Sequence, residues 1–101
     1  MSEQFLQELT ELSEIDQVKE LASLFISPRD IAAFVGFSEE EFLMKLKFEP
    51  EDVFVKAYRR GVSETKIKLR FDTKRFALSG SPEAANAMKD YLSQQEISEI
   101  Q

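Results

Sequence analysis

Carboxylates and cations are the only side chains here with much capacity for chemistry, because the chain contains no histidine and no cysteine. That absence removes thiolate nucleophiles, disulfides, most zinc sites and the commonest general base. Two acid pairs, Asp30 with Glu39 and Glu51 with Asp52, are of the kind that holds Mg²⁺ or divides acid and base roles. All four also stand where helices are expected to begin, and an acid suits the positive end of a helix dipole, so the plain role explains them better. No Gly-rich phosphate loop is present either. The expectation is a non-catalytic protein with no cofactor and no metal.

The cations suggest different chemistry. Residues 1–55 carry 13 acidic and 4 basic side chains, residues 56–80 carry 2 and 8, and residues 81–101 carry 4 and 1, within a net charge of -6. Only the middle block can attract polyanions. At 100° per residue, Lys56, Arg59, Arg60, Lys66, Arg70 and Lys74 gather in an arc of about 120°, and regularly spaced cations can track a phosphate backbone. In so acidic a chain the same stripe could instead pair with carboxylates of the N-terminal block, in one protomer or its neighbour. Arg29, Lys45 and Lys47 are further candidates for phosphate contact, flanking a unit inserted in a groove.

The elements that must position these residues are helical. Residues 27–48, SPRDIAAFVGFSEEEFLMKLKF, predict two short helices joined at Gly36, the outline of a helix-turn-helix. Ser27 caps the first, with Pro28 as its first residue and Asp30 placed to return the capping bond. Ser38 caps the second, with Glu41 completing a capping box. Ile31, Ala32 and Val35 face Phe42 and Leu46, with Phe37 plugging the turn. Upstream, Phe5, Leu9, Leu12, Ile15, Val18, Leu21, Ala22 and Phe25 form an amphipathic stripe, either one long helix or one broken near Ser13, where Asp16 stands at cap spacing. Pro28, Pro50 and Pro82 each fit the first turn of a helix.

From Pro50 to Ser79 two readings compete. Lys66 to Phe71 alternates charged and apolar, which argues for a basic β-hairpin turning at Asp72 and Thr73. A continuous helix instead gathers Phe54, Val55, Tyr58, Val62, Leu69 and Phe76 in one arc and Val53, Ala57, Ile67, Phe71 and Leu78 in another, clear of most of the cations. The helix sorts the residues more cleanly and is the reading adopted, with Gly61 and Asp72 as the places where a local disruption would fall. Two apolar arcs on one rod predict a homo-oligomer larger than a dimer. Ser79-Gly80-Ser81-Pro82 then stops one helix and starts another, whose narrow apolar side is Ala84, Ala85, Met88, Tyr91 and Leu92.

The expected fold is all-α: an N-terminal helix plus helix-turn-helix over 1–48, then a long helix and a short antiparallel C-terminal helix over 49–93 as the oligomerisation hairpin, with a frayed tail at 94–101. A length of 101 residues suits one domain, or a protomer completed by its assembly. No apolar run reaches 18 residues, so a cytoplasmic protein without a membrane partner is expected.

The order of parts resembles the phage terminase small subunits. The matching residues are Ile31, Ala32, Gly36 and Ser38 in the turn region, Ala57, Tyr58, Arg60 and Gly61 in the long helix, and Ala77, Leu78, Gly80, Ala84, Ala85 and Leu92 in the hairpin. The resemblance, from about Val18 to Leu92, implies a subunit that recognises viral double-stranded DNA as a ring-like oligomer and passes it to the terminase large subunit for packaging. Two features depart from it. Glu39, Glu40 and Glu41 would repel phosphate at the start of the recognition helix, and no extra segment for docking the large subunit is evident. A protein-interaction module with a helix-turn-helix shape, or a small transcriptional regulator, are the other readings.

Overall fold

The computed structural model describes residues 2–100, with side chains described through residue 97. It is all-α, with no strand among the described residues: α1 (Ser2–Thr10), α2 (Glu14–Ser23), α3 (Pro28–Val35), α4 (Glu39–Phe48), α5 (Val53–Leu78) and α6 (Pro82–Ile100). The segment that alternates, Lys66 to Phe71, is helical throughout, and α5 runs without interruption past both Gly61 and Asp72. Sorting cations from apolar side chains at helical spacing outweighs the short alternation.

Local signals start each helix. Ser13, Ser27, Ser38 and Ser81 accept hydrogen bonds from the backbone N–H of Asp16, Asp30, Glu41 and Ala84. The return half of the expected capping boxes is absent: neither Asp30 nor Glu41 reaches back to the backbone N–H of its cap residue. Gly36 (φ 96°) and Gly80 (φ 103°) take the left-handed conformation that ends α3 and α5, and after Gly80 the N–H of Ser81 closes on the carbonyl of Phe76 at 3.0 Å. Pro50 departs from expectation. It sits in a turn closed by the Asp52 N–H on the Glu49 carbonyl, and Asp52 is the cap of α5, its Oδ1 accepting from the N–H groups of Phe54 and Val55. Asp52 offers both a capping oxygen and the right offset, so the helix starts after the proline turn. The last helix also exceeds expectation: α6 continues beyond Ser93 to Ile100, through Gln94, Gln95 and Glu96, which favour helix. Gln101 lies outside the described residues.

Contacts divide the chain into two compact units, Met1–Thr65 and Lys66–Gln101, with the division inside α5. In the first unit Leu9, Val18, Leu21, Ala22, Ile31, Ala32, Phe42, Val55 and Ala57 are buried. Each large one contributes roughly 1.5–3 kcal/mol. Phe37 packs edge-on against Phe54, with ring centroids 4.7 Å apart, and tilts against Phe42 at 5.8 Å, so it fills the turn between α3 and α4. Gly61 allows α2 and α5 to touch backbone to side: a Cβ there would overlap the Lys19 carbonyl oxygen and meet Ala22 Cβ at 3.0 Å. Thr65 adds a hydrogen bond of 2.6 Å to the Ser23 carbonyl across the same seam.

In the second unit α6 packs against the end of α5, with the Arg70 guanidinium 4.4 Å from the Tyr91 ring centroid. No described side chain from Lys66 to Ile97 is buried.

Candidate nucleic-acid interface

Every predicted contact residue of the first unit is already engaged within it. Arg29 Nε lies 2.7 Å from Glu39, joining the start of α3 to the start of α4. Lys45 Nζ reaches Asp52 at 3.3 Å, and Arg59 donates to the Leu46 carbonyl at 3.2 Å, so both tie α4 to the first turns of α5. Lys56 pairs with Glu51 at 2.8 Å and Arg60 with Glu64 at 2.9 Å, while Lys47 lies 5.3 Å from the Phe48 ring centroid. Exposed pairs of this kind each contribute little to stability, but together they lower the field these cations project.

These partners account for the acids as well. The Glu51 carboxyl is held below its ordinary range by the hydrogen bond and charge of Lys56. For Asp52, partial desolvation pushes upward, and the Lys45 hydrogen bond with the N–H groups of Val55 and Phe54 outweighs it, leaving the carboxyl lowered. Glu51 and Asp52 are thus committed to a lysine and a helix cap.

The second unit holds its cations differently. Lys66, Lys68 and Lys74 are exposed and pair with no described residue. Arg70 stacks on Tyr91, and among the described residues only Arg75 has an acid, Asp72, at 3.7 Å. At 100° per residue, Lys66, Arg70 and Lys74 span about 80° of the helix, and Lys68 and Arg75 lie on the far side of Ile67, Phe71 and Leu78. Those three apolar side chains are 68%, 66% and 80% exposed.

The structure thus separates the predicted stripe into a part tied down in the first unit, where Lys56 and Arg60 meet carboxylates and Arg59 a carbonyl, and a part with no carboxylate partner among the described residues, Lys66, Arg70 and Lys74, of which Arg70 stacks on Tyr91. Sequence reading missed Lys68, which lies outside the 120° arc, and Tyr91, whose distance from the Gly80 turn roughly mirrors that of Arg70. At the start of α4, Glu39 is taken by Arg29, and Glu40 and Glu41 are exposed with carboxylates that pair with no described residue. No helix among the described residues is long and apolar enough to cross a membrane. Compared with known proteins, the chain matches no family model, no curated protein and no solved structure.

Proposed function

We propose that this chain is a non-catalytic, cytoplasmic DNA-recognition subunit of the terminase small-subunit type, with α3 and α4 as its helix-turn-helix. It acts as a homo-oligomer larger than a dimer and delivers double-stranded DNA to a large packaging subunit. The observation that carries this reading is the charge of the second unit: Lys66 and Lys74 are unpaired and exposed beside Arg70 on one edge of α5. Such an edge suits a phosphate backbone, because each neutralised phosphate releases condensed counterions. Contact is therefore assigned to Lys66, Arg70 and Lys74 ahead of Arg29, Lys45, Lys47, Lys56, Arg59 and Arg60. Oligomerisation is supported by the lack of any buried side chain among the described residues of the second unit, since isolated helices gain most of their stability from packing.

Glu40 and Glu41 favour a second reading, in which the α3–α4 unit binds protein and the chain binds no DNA. Fluorescence anisotropy with a labelled duplex, repeated across salt concentrations, separates the two. The DNA reading expects affinity to fall steeply with salt, and changing Lys66, Arg70 and Lys74 to Glu to flatten the log–log slope by about 0.9 per lost phosphate contact. Binding that is absent, or insensitive to salt, would leave the protein-interaction module.

A further inference from the structure

The most exposed large apolar side chains of α5, Ile67, Phe71 and Leu78, fall within about 40° of one another on the helix. Cations border this stripe on both sides, Arg70 and Lys74 along one edge and Lys68 and Arg75 along the other. Duplex DNA covers apolar side chains only at thymine methyls or by unstacking base steps, so contact with an intact phosphate backbone would leave this phenylalanine and leucine in water. A surface that is apolar at its centre and acidic toward the Lys68 and Arg75 edge would match it.

The first unit carries such a surface on α4. Met44 and Phe48 are 55% and 61% exposed, on the side of α4 away from the buried Phe42. Glu40, Glu41, Met44, Lys45 and Glu49 line a groove there. The carboxylates of Glu40, Glu41 and Glu49 pair with no described residue, and the lysine in the groove is already held by Asp52. A second acidic groove, lined by Phe5, Glu8, Leu9, Leu12 and Glu20, fits less well, because Glu8 already accepts from Gln4 and Leu9 is buried.

We propose that the Ile67, Phe71 and Leu78 stripe of one copy docks on the Glu40, Glu41, Met44 and Glu49 groove of a second copy, with Lys68 facing the groove's carboxylates. This rests on the oligomer reading given above and specifies its interface. The two faces differ, so the contact is head to tail: the end copies of any open assembly retain one free stripe and one free groove, and growth continues as a filament or until a ring closes. It also gives the acidic start of α4 a role that DNA contact does not. Lys66, Arg70 and Lys74, on the adjoining edge, stay available to phosphate.

The test uses two full-length variants, Met44→Asp and Phe71→Asp, each removing one face. Both side chains are more than half exposed in the protomer, so both variants should keep the helical circular dichroism of the parent. By light scattering each alone is expected at the protomer mass of 11.6 kDa, and an equimolar mixture at twice that mass, because one intact stripe meets one intact groove and growth stops. Should either variant lose helicity, Phe48→Asp and Leu78→Asp replace them. Charge reversal adds an independent arm: Lys68→Glu lowers the mass, and combining it with Glu40→Lys restores it. If the parent is oligomeric but Met44→Asp and Phe48→Asp leave its mass unchanged, the interface is overturned and the oligomer reading survives. A monomeric parent overturns both.

Discussion

Residues 1–65 and 66–97 are built from the same helical sequence grammar, yet they differ in how they hold their cations and in whether they bury a core. In the first unit, Arg29, Lys45, Lys56, Arg59 and Arg60 each meet a carboxylate or a carbonyl, and the large side chains of Leu9, Val18, Ile31 and Val55 are buried. In the second, Lys66, Lys68 and Lys74 meet none, and Ile67, Phe71 and Leu78 face solvent. The first unit ties down its predicted contact cations and buries a core, while still exposing Met44, Phe48 and the carboxylates of Glu40, Glu41 and Glu49; the second has no buried side chain among the described residues. The helix α5, 26 residues long, spans the division: its first part contributes buried Val55, Ala57 and Gly61, and its last part contributes no buried side chain.

The largest effect should come from breaking the open edge. Changing Lys66, Arg70 and Lys74 together to Glu is expected to weaken duplex binding on the order of 100-fold at moderate salt, read by anisotropy. The same change at Lys56, Arg59 and Arg60 should cost far less affinity, since those cations are held within their own unit. Equal losses from the two triplets would erase the distinction.

Stability should show the reverse asymmetry. Gly61→Ala places a methyl against the Lys19 carbonyl oxygen and is expected to cost about 1–3 kcal/mol by denaturant titration. Phe71→Ala, measured at concentrations low enough to keep protomers apart, should fall within about 0.5 kcal/mol of the parent.

A smaller effect distinguishes the α4–α5 joint. Asp52 has a lowered carboxyl in the folded chain, so its contribution is fully present above the unfolded value of about 3.9 and is lost as pH falls through the folded value. Asp52→Ala should cost about 1 kcal/mol at neutral pH and nearly nothing in strong acid, by thermal melts at both. The smallest change concerns Phe25, which ends α2 at φ 60° in the left-handed region. Phe25→Gly should stabilise by up to about 1 kcal/mol.

What sequence could reveal followed from the range of the interaction. The caps at Ser13, Ser27, Ser38 and Ser81 depend on a few residues and were legible, as was the continuity of α5, where cations and apolar residues separate cleanly at helical spacing. Pro50 was ambiguous because Asp52, two residues on, offers a stronger cap. The length of α6 was hidden by a polar tail with no apolar stripe, although its residues favour helix. Of the ion pairs, Arg60 with Glu64 has readable i,i+4 spacing. Arg29 with Glu39 and Lys45 with Asp52 require knowing which helix ends meet, so the engagement of these two cations could not be read along the chain.

In the proposed function the second unit is completed by other copies of the chain. Light scattering of the parent protein across a range of concentrations tests this most directly. A mass above twice the 11.6 kDa protomer is the predicted result, and a species that stays at 11.6 kDa at every concentration contradicts it.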